Sequence, residues 1–142
     1  MHKFEKLEVW QLAIEYADLC YAIANRLPRQ EDYNLSSQIR RASISVALNI
    51  AEGSTGQSDA EQTRFLGMAI RSLIETVACQ HLINRHGYLE DTKPLREAYR
   101  ASDKLAAKLQ AMRRVLRGDH KVSEETVEYS TNSTPFDESS NA

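Results

Sequence analysis

Apolar residues recur at alternating spacings of three and four in four successive segments of this 142-residue chain. This is the period of one face of an α-helix. The chain has only five Gly and three Pro residues, so it has few places to turn, and long helices are favoured over many short strands. The pattern predicts four amphipathic helices, over about residues 5–26, 31–51, 58–86 and 92–117.

Local signals mark the ends of these predicted helices. Pro28 ends the first, because the residue before a proline is pushed out of the helical region. Gly53 closes the second and Gly87 the third, as glycine commonly does just beyond a helix. Ser58 opens a capping box at the start of the third helix, and Gly118 follows the fourth.

The connections between the predicted helices are short, so successive helices should pack antiparallel. We therefore predict an all-α fold, an up-down-up-down four-helix bundle over residues 1–117. These residues hold 17 Lys and Arg against 14 Asp and Glu, a balance of +3. Residues 118–142 lack the periodicity and hold one Lys against six acids, a balance of -5. We expect this second part to be a flexible, disordered acidic tail.

Several classes of protein are disfavoured by the sequence. The N-terminus lacks the apolar run of a signal peptide, and no stretch approaches the ~18 apolar residues of a membrane span. Cys20 and Cys79 are the only cysteines and are expected to be buried and reduced, as in a cytoplasmic protein. Glycine-rich phosphate loops and metal-ligand spacings are missing, so we expect no cofactor, no metal, no catalytic residue and no enzyme activity.

Cations dominate the fourth predicted helix. Four of them repeat every four residues and form a slowly winding line, here called the basic ridge: Arg96, Arg100, Lys104 and Lys108. Three more are expected to extend it: Arg113, Arg114 and Arg117. The ridge has two interpretations. It is either a solvated helix face, with cations favoured at the C-terminal end of the helix dipole, or a surface that contacts the phosphates of RNA or DNA.

Two polar clusters resemble active-site motifs but are better interpreted as structural. Asn49 falls on the apolar stripe of the second helix, and we expect it to act with Glu52 and Gly53 at the turn to the third helix. There the two side chains would bind free backbone donors or pair with Arg64. In the second cluster, Arg41 and Glu75 would form an ion pair between the second and third helices.

The sequence resembles that of bacterial four-helix-bundle proteins. This family includes proteins encoded in intervening sequences of 23S ribosomal RNA genes and the accessory protein of diversity-generating retroelements. The resemblance covers about residues 4–117 and rests on an ordered series of motifs: FEKLEVWQ at 4–11, QIRRA at 38–42, NIAEG at 49–53, FL at 65–66 and AIRSLIE at 69–75.

The resemblance implies a left-handed bundle that assembles into a barrel-shaped homopentamer. It also implies binding to nucleic acid or, in the retroelement branch, to a reverse transcriptase. Residues 49–53, Ser72, Leu73 and Glu75 correspond to characteristic positions of the family.

Together these observations favour a non-enzymatic oligomeric module that binds RNA, or a nucleic-acid-processing protein, through the basic ridge. The alternative is a structural or protein-protein interaction module without nucleic-acid binding, in which the charges serve solubility and subunit pairing.

Overall fold

The computed structural model describes residues 1–56, 58–118 and 133–137. Four α-helices make up most of this part: α1 (Glu8–Ala24), α2 (Leu35–Gly53), α3 (Asp59–Arg85) and α4 (Lys93–Leu116). Two short 3-10 helices, Lys3–Lys6 and Arg29–Glu31, precede α1 and α2. The described residues contain no β-strand, and the predicted all-α class is confirmed.

The helix ends follow the local signals in the sequence. At the start of α3, the Oγ of Ser58 accepts a hydrogen bond from the Glu61 amide at 3.1 Å. At its end, Gly87 adopts a φ of 67°, which lets the Tyr88 amide reach back to the Ile83 carbonyl at 3.4 Å. This is a Schellman cap, and only glycine takes its left-handed conformation without strain.

Each helix packs against the next, and α1 also packs against α4, which closes the bundle. Two contacts fix the antiparallel register of α2 and α3. The Oγ of Ser72 donates to the Oγ of Ser45 at 3.0 Å, and a Cβ added to Gly53 would lie 2.9 Å from the Cβ of Phe65. The predicted four-helix bundle is therefore present.

The apolar stripes of the four helices meet in one core. Among its largest fully buried side chains are Ile23, Ile39, Ile50, Leu66, Leu73, Ile83, Leu95, Leu105 and Leu109. Cys20 and Cys79 are both buried free thiols, as predicted. None of the helices in the described part is long and apolar enough to cross a membrane.

The expectation for residues 118–142 needs one correction. Most of these residues lie outside the described part, but residues 133–137 lie against the bundle. Phe136 is only 4% exposed and joins the core cluster, with its ring near those of His81 on α3 and Tyr99 on α4. These five residues are not a free tail, because a buried aromatic side chain holds them in place.

Candidate nucleic-acid interface

The basic ridge runs along the outer side of α4. At about 100° per residue, its four members advance about 40° each and spread over about 120° of the helix circumference. Arg100 and Lys104, at its centre, are exposed, while Arg96 and Lys108, at its ends, are half-buried. The four cations thus share the outer side of α4, and the two at the centre are the most exposed.

Both ends of the ridge are held by other groups. Arg96 donates to the Oγ1 of Thr92, one turn earlier, and to the carbonyl of Phe136 at 3.5 Å. The Nζ of Lys108 lies 3.0 Å from a carboxylate oxygen of Glu8, which joins α4 to the start of α1. The centre of the ridge is therefore more available to a ligand than its ends.

The three later arginines do not all extend this surface. Arg114 and Arg117 are exposed. Arg113 lies on the side of α4 opposite Lys104, because the helical period carries it about 180° around. Its guanidinium faces Gly67 of α3, where an added Cβ would lie 3.0 Å from an Arg113 nitrogen. We therefore exclude Arg113 from the candidate interface.

Arg113 also has a buried Nε with no hydrogen-bond partner in the described part of the chain. A buried donor without a partner is uncommon and carries a desolvation penalty. Its place between α3 and α4 indicates that the side chain fills space above Gly67 with its apolar stem and guanidinium plane.

Only two acids share α4 with these cations, and neither neutralises the centre of the ridge. Glu97 lies 3.8 Å from Lys93 at the start of the helix. Asp103 forms no ion pair within 4 Å among the described residues, and burial raises its pKa above the ordinary value of 3.8. The outer side of α4 therefore carries a surplus of positive charge.

The side chain of Asn49 binds within its own helix, α2. Asn49 is buried, and its Nδ2 donates to the carbonyl of Ser45 at 2.9 Å and to the Ser45 Oγ at 3.1 Å. The amide nitrogen is therefore bound one turn back in its own helix, and among the described residues the Asn49 oxygen accepts no hydrogen bond from the turn to α3. Glu52 is exposed, and Arg64 pairs with Glu61 at 3.1 Å, so the predicted contact of Asn49 or Glu52 with Arg64 is wrong.

The predicted ion pair between Arg41 and Glu75 is not formed among the described residues. The register of α2 and α3 does place Arg41 level with residues 76 and 77. Both side chains, however, are exposed, and an ion pair between exposed side chains gains little. The polar contact that crosses the two helices is the one between Ser45 and Ser72.

A shallow depression of about 750 Å³ lies along the outer side of α2. Arg41, Asn49 and Glu52 line it, so three of the predicted motif residues do share one surface. Exposed or partly exposed apolar side chains complete it: Tyr21, Ile44, Leu48 and Met68. Sequence reasoning placed the motif residues at helix contacts and missed this apolar surface, although Ile44 and Leu48 lie one turn apart off the core stripe.

No group of three or more His, Cys, Asp or Glu in the described part is arranged to hold a metal ion. Burial also raises the pKa of Cys20 to about 12, and that of Cys79 above its ordinary value of 9.0. Thiols with raised pKa values are poor nucleophiles and poor metal ligands at neutral pH. The two cysteines act as small apolar core residues.

The fold defines a class: small all-α four-helix bundles. The sequence profile of one such family, described as 23S rRNA-intervening sequence protein, matches residues 5–111. The match covers most of the chain, and the protein belongs to this family. A comparison with curated proteins gives no match.

Proposed function

We propose that this protein is a non-enzymatic, self-associating module that binds structured RNA through the outer side of α4. The observation that carries the proposal is the basic ridge with exposed Arg100 and Lys104 at its centre. Arg114 and Arg117 add two exposed cations at the C-terminal end of the same helix. The family description, which refers to 23S ribosomal RNA, supports an RNA context for this surface.

The expected mode of binding is contact with phosphates. Guanidinium and ammonium groups spaced one helical turn apart can each meet a phosphate oxygen, and such contacts read no base sequence. The ridge carries no interleaved aromatic side chain on which bases could stack. Binding should therefore weaken steeply with salt and should depend on the shape of the RNA more than on its sequence.

The test is the binding of a fluorescently labelled RNA hairpin across a salt series. The double variant Arg100→Glu with Lys104→Glu should bind on the order of 10- to 100-fold more weakly near 0.1 M salt. The slope of log affinity against log salt should fall by about two, because each of the two substitutions removes one cation that meets a phosphate. Lys108 is left unchanged, because a glutamate there would face Glu8 and disturb the α1–α4 contact.

A matched control makes the same change of charge elsewhere. Arg26 and Arg29 are exposed in the connection between α1 and α2 and are not part of α4. The double variant Arg26→Glu with Arg29→Glu should keep affinity within about threefold, since only long-range charge is altered. Equal losses in the two double variants, or no binding by the wild-type chain at low salt, would contradict the proposal.

The depression on α2 favours a second function, that of a protein-interaction module. Leu48 is 55% exposed there, beside Ile44, Tyr21 and Met68. Exposed apolar side chains grouped in this way are typical of surfaces that are covered by another protein. We assign this surface to self-association, and the family resemblance leads us to expect a homopentamer. In the alternative function, the protein still self-associates but does not bind RNA.

A further inference from the structure

Residues 134–137, here called the C-terminal turn, form a unit that is held together by its own hydrogen bonds. The Oγ1 of Thr134 donates to one carboxylate oxygen of Asp137 at 2.9 Å and accepts from the Phe136 amide at 3.1 Å. The other carboxylate oxygen accepts from the Thr134 amide at 2.9 Å. Pro135 occupies the second position, where its fixed φ suits a turn. This short sequence therefore specifies its own shape.

The turn presents one side chain to the bundle. Phe136 enters a groove between α3 and α4, here called the α3–α4 groove, in which His81, Arg96 and Tyr99 contact the turn. Its ring centroid lies 5.0 Å from that of His81 and 5.7 Å, edge to face, from that of Tyr99. Both geometries are favourable for aromatic pairs. The groove thus receives an aromatic side chain in the manner of a peptide-binding site.

The docked turn also places a carboxylate beside the basic ridge. Arg96 donates to the Phe136 carbonyl at 3.5 Å. The pKa of Asp137 is held below its ordinary value, first by the hydrogen bonds from Thr134 and then by the charges of Arg100 and Arg96. The first two cations of the ridge therefore face an anion that the chain itself supplies.

We propose that the α3–α4 groove is a binding site for the C-terminal turn, and that the turn docks there reversibly as an intramolecular ligand covering the first part of the basic ridge. Release of the turn frees Arg96 from the Phe136 carbonyl and removes the Asp137 carboxylate from Arg96 and Arg100, so both cations can bind other anions. The proposed competition between the turn and RNA rests on the proposed function. The proposed docking of the turn in the groove does not depend on RNA binding.

The contacts explain why docking is reversible. Phe136 is the one apolar side chain of the turn that is buried against the bundle, and the hydrogen bond from Arg96 is at the outer limit of length. The shorter hydrogen bonds described for the turn lie within it, so release does not require them to break. Fourteen residues, 119–132, separate the turn from the end of the bundle. A connection of this length supplies an effective concentration of about 1 mM, so weak intrinsic affinity is enough for docking.

The test uses the full-length variant Phe136→Ala, in which the groove is vacated. A fluorescein-labelled peptide with the sequence of residues 129–142 should bind this variant with a Kd on the order of 0.1 mM, below the effective concentration that keeps the turn docked. It should bind the wild-type chain at least tenfold more weakly, because the chain's own turn competes. The same peptide with alanine for phenylalanine is the matched control and should not bind.

Three results would overturn the groove as a binding site. They are failure of the wild-type peptide to bind the variant, equal binding of the two peptides, and equal binding of the wild-type peptide to both chains. A change on the groove side completes the test: His81→Ala, added to the Phe136→Ala chain, should weaken binding several-fold because it removes the ring that packs against the peptide's phenylalanine.

A separate measurement distinguishes a reversible ligand from an ordinary core residue. Leu109 is fully buried on α4, and Leu109→Ala marks the effect of a core truncation. The urea midpoint of the Phe136→Ala chain should shift less than half as far as that of the Leu109→Ala chain. An equal or larger shift would show that Phe136 is integral to the core and would overturn reversible docking.

RNA affinity tests whether the docked turn covers the first part of the basic ridge. The Phe136→Ala chain should bind the RNA hairpin about 3- to 10-fold more tightly than the wild-type chain, and the free peptide should reverse this gain. Unchanged RNA affinity would overturn the competition. Absence of RNA binding in every chain would overturn the proposed function and the competition with it, whereas the peptide result would still decide whether the groove is a binding site.

Discussion

Tyr16 and Cys20 lie one turn apart on α1 and meet a polar strip of α3 in the bundle interior. The hydroxyl of Tyr16 is 2.6 Å from the Thr76 Oγ1 and accepts from the Gln80 Nε2 at 2.8 Å. All of these side chains are buried. Buried polar groups are tolerated when they bind one another, so these hydrogen bonds fix how α1 and α3 face each other.

Burial of Cys20 makes the stability of the protein depend on alkaline pH. Its pKa is raised from 9.0 to about 12, mainly by burial. The folded state holds this proton more tightly than the unfolded state, so stability is complete below pH 9 and is lost as the pH rises toward 12. Cys20→Ala should reduce this loss by about 1.4 kcal/mol per pH unit above 9, as measured by urea unfolding at several pH values.

The slope, rather than the absolute stability, carries this prediction, because the substitution also leaves a small cavity. Tyr16 has a raised pKa as well, so part of the alkaline loss should remain in the variant. Cys79→Ala is the matched control: burial of Cys79 is less complete, and the slope should change less. Parallel curves for the wild-type and Cys20→Ala chains would rule out Cys20 as a source of the pH dependence.

At the scale of the helices, Gly53 sets how closely α2 approaches α3. A Cβ at this position would lie 2.9 Å from the Cβ of Phe65, closer than carbon atoms can pack. The Cβ of Phe65 is fixed to its backbone and cannot turn aside. Gly53→Ala should therefore push the two helices apart and reduce the free energy of unfolding by about 1–3 kcal/mol, measured from the urea midpoint.

Gly67→Ala is the matched control on the neighbouring helix. Its added methyl would meet the guanidinium of Arg113, the far end of a flexible side chain that can move away. Alanine also favours the interior of a helix by about 1 kcal/mol over glycine. The substitution should be close to neutral or stabilising. Losses of similar size at Gly53 and Gly67 would show that close approach is not the reason for glycine at position 53.

Helix boundaries were predictable because their signals are local. Ser58 and Gly87 act within four residues of themselves: the Gly87 cap forms as expected, and of the capping box the Ser58 half forms, while the Glu61 carboxylate pairs with Arg64. The position of Arg113 was also readable, since the helical period places it on the inner side of α4. The prediction grouped it with Arg114 and Arg117, whereas in the structure Arg113 faces Gly67 of α3 and the other two are exposed.

Other features depended on tertiary placement that no local pattern encodes. The register of α2 and α3 was predictable, but whether Arg41 would turn toward Glu75 depends on the balance of solvation and pairing at an exposed site. Phe136 stands alone among polar residues and belongs to no periodic stripe. Its docking depends on a groove between α3 and α4, and the residues of this groove that contact it lie far from Phe136 in the sequence. The available signals were the Thr-Pro turn and the aromatic residue after it.

At the scale of the whole molecule, the two candidate surfaces face in different directions. The depression lies mainly on α2 and the basic ridge on α4, and α1 and α3 each pack against both of these helices. In a closed four-helix bundle this makes α2 and α4 diagonal partners. Self-association through α2 would therefore leave the ridge of each subunit on the outside. Several ridges on one particle would bind a single RNA more tightly than one ridge does, through effective concentration alone.

Leu48→Asp tests this arrangement, because it places a charge at the most exposed apolar position of the depression. Burying an unpaired carboxylate against another subunit is unfavourable, so the variant should scatter light as a 16.1 kDa monomer at micromolar concentration. The wild-type chain should give a multiple of that mass. Loss of avidity should also weaken binding to a long RNA on the order of tenfold, while binding to a hairpin that spans a single ridge should change little.

Ile74→Asp is the matched control, because it places the same charge at an exposed apolar position outside the depression. Ile74 is 64% exposed, yet it lies about 120° around α3 from Met68 and does not line the depression. This variant should keep the wild-type mass and the wild-type affinity for long RNA. A wild-type mass of 16.1 kDa would remove self-association altogether. An assembly that tolerates Leu48→Asp would instead move the subunit contact away from α2, and the outward position of the basic ridge would no longer follow from the fold.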